Sequence, residues 1–215
     1  MPSQEKGTRP ASPIPYELYC NGKLDTAKNA FQLTLKSGNV IFGKESAGAP
    51  FVVYAYGDKD DKVKVRNYAV KAGDALTDSW NLDQFDGQNY HLAVYGPNGF
   101  LRQYQGNSKS PKINFEVDYQ LDKSNKATGN VVMKITSPDV SSKKDITILD
   151  NSYKSKSIRK TLEREATILL NLEKSFNWYD FSVLIDGQNE PLFRFAGHVE
   201  TGKESKSDPF MGQMV

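Results

Sequence analysis

The sequence predicts an all-β fold made of two tandem antiparallel β-sandwiches of the immunoglobulin or fibronectin kind. Residues 178–185 alternate apolar and polar side chains, which is the period-two pattern of a half-buried strand. Residues 192–199 resume the pattern after Asp186-Gly187, two residues that tolerate the backbone of a tight turn. A similar hairpin stands about ninety residues earlier, at residues 90–106, so we interpret the chain as a tandem repeat.

Short strands separated by Gly- and Asp-rich loops fill both copies of the repeat. The pattern predicts seven strands in each copy, a number typical of a sandwich. In the first copy they cover residues 16–21, 30–36, 51–56, 63–70, 78–82, 89–95 and 100–105. In the second copy they cover residues 113–121, 130–136, 146–151, 157–162, 166–172, 178–185 and 192–200.

The repeat divides the chain into five parts. Four prolines among polar residues near the N-terminus predict an extended arm that builds no regular hydrogen-bonded structure. A polar stretch, NSKSP, separates the two copies. The predicted parts are an extended linker at residues 1–15, a first β-sandwich repeat at 16–106, a short linker at 107–112, a second β-sandwich repeat at 113–202 and a C-terminal tail at 203–215.

Residues 157–176 conflict with the strand assignment. Good helix formers are frequent there, and the apolar residues recur at spacings close to a helical face, so the local pattern alone predicts a helix. The corresponding part of the first copy alternates like a strand, and residues 170–172 match residues 80–82 in the repeat. Because copies of a repeat share a fold, we predict strands in this segment.

Composition limits the classes of function. The chain has 215 residues, 38% of them hydrophobic, and a mean hydropathy of -0.60, so each copy can bury only a modest core. No window approaches the length of a membrane span, and residues 1–15 have no apolar signal region. The net charge of +2 gives no basic surface of the kind that nucleic-acid binding requires, so no nucleic acid is expected as a partner. The lone Cys20 lies in an alternating segment and is predicted to be a small buried side chain.

The sequence offers no set of catalytic residues. The two histidines, His91 and His198, lie in predicted strands of different copies, so no histidine cluster has metal-ligand spacing. Neither the G-x-S-x-G turn of serine hydrolases nor the G-x-x-x-x-G-K-[ST] phosphate loop occurs. We therefore predict no catalytic, cofactor-binding or metal-binding residue in this chain, and no cofactor.

Three aromatic residues allow either a core role or a surface role. Trp80 alternates in register with Leu76 and Leu82 and is predicted to lie in the core. Trp178 is out of phase with the apolar side of its strand, which places it at a seam between the copies or against a partner, with packing favoured. Phe100 follows a turn, where an apolar residue either returns to the core or inserts into lipid, and the core is favoured. Trp178 and Phe100 are the candidate interface residues.

Six short stretches carry a family resemblance. They are QEKGTRPA at residues 4–11, PYEL at 15–18, YGPNGF at 95–100, WYDFSV at 178–183, FAGHVETG at 195–202 and SDP at 207–209. Together they resemble the C-terminal region of bacterial phosphocholine-preferring phospholipases C, and the likeness covers nearly the whole chain. In that family, two copies of a small β domain follow a large catalytic domain that resembles metal-dependent phosphatases and phosphoesterases, and the enzymes are exported. The resemblance therefore implies a secreted or periplasmic location.

The resemblance also implies that the catalytic domain lies outside this chain, so no catalytic residue is carried over to any position here. The expected role is a non-catalytic accessory region of a secreted phospholipase C whose parent enzyme hydrolyses phosphatidylcholine-type phospholipids. Such a region would position the enzyme on a phospholipid surface or a partner, or it would pack on the catalytic domain and stabilise it. The expected partners are the enzyme's own catalytic domain and a phospholipid surface, with no transmembrane segment. A carbohydrate-binding or purely structural β-sandwich module is the alternative.

Overall fold

A computed structural model describes residues 7–60, 62–138, 143–186 and 190–210. This part of the chain consists of strands joined by turns and short 3-10 segments, and it contains no α-helix. The strands are β1 Pro10–Ala11, β2 Leu18–Asp25, β3 Ala30–Ser37, β4 Ala49–Tyr56, β5 Val63–Val70, β6 Ala75–Asn81, β7 Tyr90–Tyr95, β8 Leu101–Gly106, β9 Asn114–Leu121, β10 Ala127–Thr136, β11 Lys144–Asp150, β12 Ile158–Leu162, β13 Glu165–Leu170, β14 Trp178–Ile185, β15 Phe193–His198 and β16 Ser205–Lys206.

The prediction of an all-β antiparallel sandwich is confirmed. In the first half of the chain, the three-stranded sheet β2-β3-β6 faces the strands β5-β4-β7-β8. In the second half, the three-stranded sheet β9-β10-β13 faces the strands β12-β11-β14-β15. The second half thus repeats the strand order of the first, and in both halves the last two strands pair antiparallel.

The two halves are joined through their last strands. β8 pairs antiparallel with β15, with Phe195 opposite Arg102 and Phe193 opposite Tyr104, and this pairing merges the two four-stranded sheets into one sheet of eight strands. On the other side, Tyr119 Oη accepts a hydrogen bond from Leu18 N at 3.1 Å and donates one to Leu18 O at 3.2 Å. Buried residues of both halves belong to one hydrophobic core. The division into separate domains at residues 16–106 and 113–202 therefore stays a prediction.

A tyrosine packed over a glycine recurs in both halves. Tyr90 lies opposite Gly106 across β7 and β8, and Tyr179 lies opposite Gly197 across β14 and β15. A Cβ added to Gly106 would lie 2.8 Å from Tyr90 Oη, and one added to Gly197 would lie 2.9 Å from Tyr179 Oη. Only glycine leaves room for the tyrosine ring at these two positions. Both halves therefore use the same tyrosine–glycine packing between their last two strands.

Within residues 157–176, two strands form at 158–162 and 165–170, as the repeat predicted. β12 and β13 are separated by two residues, Glu163 and Arg164, and β13 pairs with β10. Leu162, Ile168 and Leu170 point into the core. Pairing with β10 and burial of alternate side chains outweigh the helix preference of the local composition, because tertiary contacts override a propensity worth a few tenths of a kcal/mol per residue.

The N-terminal arm contradicts the sequence-based prediction in one respect. Residues 1–15 were expected to build no regular hydrogen-bonded structure, yet β1 pairs antiparallel with β16 of the C-terminal tail. Ser207 N donates to Arg9 O at 2.8 Å, and Arg9 N donates to Ser207 Oγ at 3.0 Å. Proline imposes a φ that suits a strand. Proline has no N–H, but the neighbouring Arg9 bonds Ser207 through both its N–H and its C=O. The predicted turn at Asp186-Gly187 falls partly outside the described residues.

Aromatic rings run through the core from one half to the other. Phe31 of the first half contacts Tyr104 at 5.2 Å between ring centroids, and Tyr104 stacks on Phe193 of the second half at 5.0 Å. Trp80 and Cys20 are buried, as predicted. The core is thus continuous across the line where β8 meets β15.

Candidate functional site

The arm and the tail meet at one end of the eight-stranded sheet. We call the pair of strands β1 and β16 the terminal clasp. Trp178, at the start of β14, donates a hydrogen bond from Nε1 to Lys206 O in the clasp at 2.9 Å. The ring of Trp178 also packs on His198 with 4.7 Å between centroids. The clasp therefore lies over the outward-facing side chains of β14 and β15.

Trp178 is half-buried between the clasp and the first half of the chain. A Cβ added to Gly99 would lie 3.1 Å from Cζ3 of Trp178, and Gly99 belongs to the turn between β7 and β8. Because Gly99 has φ of +71° and no side chain, the indole ring can approach its backbone closely. Trp178 thus touches both halves and the tail, while its role as an interface residue stays a prediction.

Phe100, the other candidate interface residue, lies in the core. Its side chain is 3% exposed and packs edge-on against Phe51 at 5.8 Å. The guanidinium of Arg102 lies 4.2 Å from the centre of the Phe100 ring. The structure therefore places Phe100 in the core, the favoured one of its two predicted positions.

His198 is held by partners on both ring nitrogens. Nδ1 lies 3.1 Å from Glu200 Oε1, and Nε2 lies 2.9 Å from Ser205 Oγ and 3.2 Å from Phe176 O. The buried carboxylate of Glu200 accepts hydrogen bonds from Asn98 Nδ2 at 2.6 Å through Oε1 and from the backbone N–H of residue 14 at 3.3 Å through Oε2. One carboxylate and one imidazole therefore connect the arm, the tail and both halves.

Ser205, His198 and Glu200 stand in the order of a serine–histidine–acid triad, but their hydrogen bonds oppose catalysis. The carbonyl of Phe176 can only accept, so Nε2 must carry a proton to bond it. A protonated Nε2 has no lone pair with which to take the proton of Ser205. Glu200 beside Nδ1 and the Phe176 carbonyl beside Nε2 are both acceptors, and they hold the ring between them, which is the arrangement of a structural latch.

Sequence reasoning treated His198 as an isolated histidine and missed this cluster. Its signal was the spacing of His198 and Glu200, which stand two apart at the end of a strand and so point to the same side. Asn98 is 100 positions from His198, and Ser205 lies seven positions after it, beyond the end of the strand, so neither carried such a signal. Among the described residues, no group of three or more His, Cys, Asp or Glu side chains could hold a metal ion.

A second polar network lies next to the clasp on the outer face of β14. Arg194 binds Asp180 through two hydrogen bonds of 2.9 and 2.7 Å, and Asn151 donates to Asp180 Oδ1 at 2.8 Å. Burial raises the pKa of Asp180, but the hydrogen bonds from Arg194 and Asn151 outweigh burial and leave the pKa below its ordinary value of 3.8. The network therefore stabilises the ionised carboxylate and depends on pH.

We expect Asp180→Asn to remove an acid-sensitive part of the stability. Because the pKa of Asp180 is lower in the folded than in the unfolded state, its stabilisation is complete above about pH 5 and is lost as the pH falls through the folded-state value. The difference in unfolding free energy between wild type and Asp180→Asn should be constant near neutral pH and shrink below pH 3.8. Urea unfolding at several pH values measures it.

Asp118→Asn is the matched control for this series. Asp118 faces Lys134 at 3.5 Å on the surface, where an ion pair contributes little to stability. Its unfolding free energy should follow that of wild type at every pH. A difference between wild type and Asp180→Asn that does not change with pH would contradict the role given to the Asp180 charge.

Comparison with known proteins shows what the sequence is similar to. Residues 10–107 match the family model described as "Bacterial phospholipase C, C-terminal domain". The chain is similar to the C-terminal region of bacterial phospholipase C. The resemblance that the six sequence stretches predicted is therefore confirmed.

Three bacterial phospholipases C are similar in sequence to nearly the whole chain. A non-hemolytic phospholipase C of Pseudomonas aeruginosa is 35% identical over 223 residues, covering 99% of this chain and 30% of that relative. A non-hemolytic phospholipase C of Burkholderia pseudomallei is 36% identical, covering 98% of this chain and 29% of the relative. A hemolytic phospholipase C of Pseudomonas aeruginosa is 30% identical, covering 98% and 30%. The chain thus spans less than a third of the length of each.

Five of the six stretches that carry the phospholipase C resemblance meet at the terminal clasp. The turn at residues 95–100 supplies Asn98, the stretch at 178–183 begins with Trp178, and the stretch at 195–202 holds His198 and Glu200. The arm contributes β1, and Ser207 continues the pairing. No helix in the described part of the chain is long and apolar enough to cross a bilayer.

Proposed function

We propose that this chain is a non-catalytic accessory region of a secreted bacterial phospholipase C, which packs on the catalytic region of the enzyme and stabilises it. The observation that carries the proposal is the terminal clasp. In the clasp the arm pairs with the tail, and Trp178 donates to Lys206 O of the tail. Glu200 binds the backbone N–H of residue 14 in the arm, Asn98 of the first half and His198 of the second. An arm fixed in this way would hold a preceding region in a set orientation, as a flexible tether could not.

The direction of the chain supports this role. The family description names a C-terminal domain, so in the relatives a region that precedes this stretch reaches it through the arm. Hydrogen bonds to backbone N–H and C=O groups fix the arm from Arg9 to Ile14 against the tail and Glu200. The arm is therefore suited to anchoring a large neighbour rather than to spacing it away.

The chemistry of the described residues supports a non-catalytic role. The histidine of the clasp is engaged on both nitrogens, and the acidic residues form no metal-binding group among the residues that the structure describes. We expect the purified chain to hydrolyse neither phosphatidylcholine nor p-nitrophenyl phosphorylcholine. Metal-dependent turnover that is removed by a substitution within this chain would overturn the proposal.

Stabilisation is tested by joining the preceding region of the Pseudomonas aeruginosa non-hemolytic phospholipase C to this chain. We expect the fusion to keep its activity at temperatures where the preceding region alone is inactivated. Equal inactivation temperatures would contradict a stabilising role. Vesicle and glycan sedimentation of the chain test the two alternatives, recruitment to a phospholipid surface and carbohydrate binding; strong binding to either would replace the proposed role.

A further inference from the structure

The outer face of the eight-stranded sheet carries a cluster of tyrosines in its first half. Tyr54 and Tyr56 come from β4, Tyr95 from β7, and Val63 and Val65 from the neighbouring β5; we call these five residues the tyrosine face. The rings of Tyr54 and Tyr95 meet edge-on at 5.6 Å, and those of Tyr54 and Tyr56 stack at 6.3 Å. Tyr95 is 41% exposed and Val65 is 45% exposed.

The five side chains of the tyrosine face carry no charge, and the cation beside Tyr95, Arg194, is bound to Asp180. The tyrosine face stands on paired strands, with Val65 opposite Tyr54 and Val63 opposite Tyr56. The basic side chains of β5 turn to the opposite side of the strand, where Lys64 contacts Asp58 and Arg66 contacts Asp78. Large aromatic side chains fixed in position and free of Lys and Glu are typical of the centre of a protein–protein interface.

The equivalent surface of the second half differs in both chemistry and cover. Asn151 lies beside Asp180 in the second half in the same way that Tyr56 lies beside His91 in the first half. The position of Tyr56 is therefore taken by a polar residue in the second half. The tail crosses this surface, since Lys206 contacts Trp178 and the ring of Phe210 packs on Tyr153 at 5.6 Å. Over the tyrosine face, no described segment of the chain takes the corresponding position.

We propose that the tyrosine face is the surface on which the catalytic region of a phospholipase C docks. The inference rests on the proposed function and assigns it a location. The chain spans 30% of the length of the Pseudomonas aeruginosa relative, so the remaining 70% lies outside it and is large enough to cover a sheet face. A protein surface is the occupant that an uncharged aromatic face fits best.

The position of the arm leads to the same face. Tyr95 directly precedes the turn that carries Asn98, and Asn98 binds Glu200, which holds the backbone of residue 14. The start of the arm, where Arg9 pairs with Ser207, lies beside the tail on the outer face of the eight-stranded sheet. A region that joins the chain through the arm therefore begins on the same face of the sheet as the tyrosines. A phospholipid surface fits less well, because peripheral membrane sites combine apolar residues with Lys or Arg side chains that are free to bind head groups, whereas Arg194 beside Tyr95 is bound to Asp180.

Hydroxyl-radical footprinting of the isolated chain and of the fusion described above tests the proposal. We expect the oxidation rates of Tyr54, Tyr56 and Tyr95 to fall at least threefold in the fusion without lipid. Leu169, 51% exposed on the opposite sheet, serves as the internal control and should react equally in both. The hydrolytic activity of the fusion shows that its catalytic region is folded.

A pair of matched variants gives a second measurement. Tyr95→Lys should shorten the half-life of fusion activity on heating severalfold, whereas Leu169→Lys on the opposite sheet should leave it unchanged. Both positions are exposed, but Tyr95→Lys also loses the edge-on contact with Tyr54, so urea unfolding of each isolated variant gives the loss of stability against which the half-life of its fusion is compared. A Tyr95→Lys fusion as long-lived as wild type would contradict the proposed docking surface.

The outcomes separate this inference from the proposed function. Unprotected tyrosines in a fusion that is stabilised by the chain would overturn the docking surface and leave the stabilising role intact. Unprotected tyrosines in a fusion that is not stabilised would overturn both. Protection that needs phosphatidylcholine vesicles, or that appears in the isolated chain as its concentration rises, would replace the catalytic region by a membrane or by a second copy of the chain.

Discussion

Replacing Arg102 with alanine is expected to lower the free energy of unfolding by about 4 kcal/mol. The side chain is 1% exposed, and none of the ion pairs in the described part of the chain includes it. Its guanidinium donates to Leu101 O at 2.8 Å, to Ala196 O at 3.0 Å and to Tyr179 Oη at 3.1 Å. Alanine would leave buried acceptors without a donor and a cavity beside the ring of Phe100.

Arg102 also connects the two halves, because Ala196 and Tyr179 belong to the second half. Arg102→Met separates the contribution of packing from that of hydrogen bonding, since methionine keeps most of the side-chain volume but cannot donate the hydrogen bonds. We expect Arg102→Met to destabilise clearly less than Arg102→Ala in urea unfolding, because filling the cavity recovers packing. Losses below about 1 kcal/mol for both variants would show that Arg102 is not essential to the junction.

Trp178→Ala is expected to cost about 3 kcal/mol or more in unfolding free energy. The substitution removes the ring that fills the space between Gly99 and His198 and removes the hydrogen bond to Lys206 O. Because the clasp rests on this ring, the tail should also become accessible to proteases. Trp178→Phe keeps an aromatic ring and loses only the Nε1 donor, so it should be destabilised by about 1 kcal/mol.

Two measurements distinguish a packing role for Trp178 from a lipid-binding role. Denaturant unfolding reports the packing, whereas sedimentation with phosphatidylcholine vesicles reports lipid binding. A lipid-anchoring tryptophan would change the stability by only a few tenths of a kcal/mol when replaced. If Trp178→Ala keeps the wild-type stability but loses vesicle binding, the packing role of Trp178 is wrong and the residue binds a membrane.

Most of the strands could be predicted from the sequence because each carries its own pattern. Alternation along residues 178–185 identifies β14 without knowledge of its partners, and a turn signal identifies the hairpin of β7 and β8. For residues 157–176 the local pattern favoured a helix, and comparison with the first copy gave the strands that the structure shows. An internal repeat thus supplied the tertiary information that local composition lacked.

The junction of the halves and the terminal clasp could not be predicted in the same way. The pairing of β8 with β15 joins residues about ninety positions apart, and no local pattern specifies which strands of two sandwiches will meet. The clasp depends on Asn98 of the turn between β7 and β8 and on Glu200 and Ser205, which follow β15. Arg102 had a weak signal, because it stands in phase with the buried Tyr104, where a charged residue is unexpected.

The pairing of β8 with β15 also bears on aggregation. An unpaired edge strand offers free N–H and C=O groups to other chains, and this pairing removes one such edge from each half. The edges that remain open in the eight-stranded sheet are β5 and β12, which carry Lys64, Arg66, Arg159 and Lys160. Charges of this kind discourage edge-to-edge association. A half separated from its neighbour would instead expose β8 or β15. The outward-facing Gln103 of β8 carries no charge, and the charged Arg194 of β15 is already bound to Asp180.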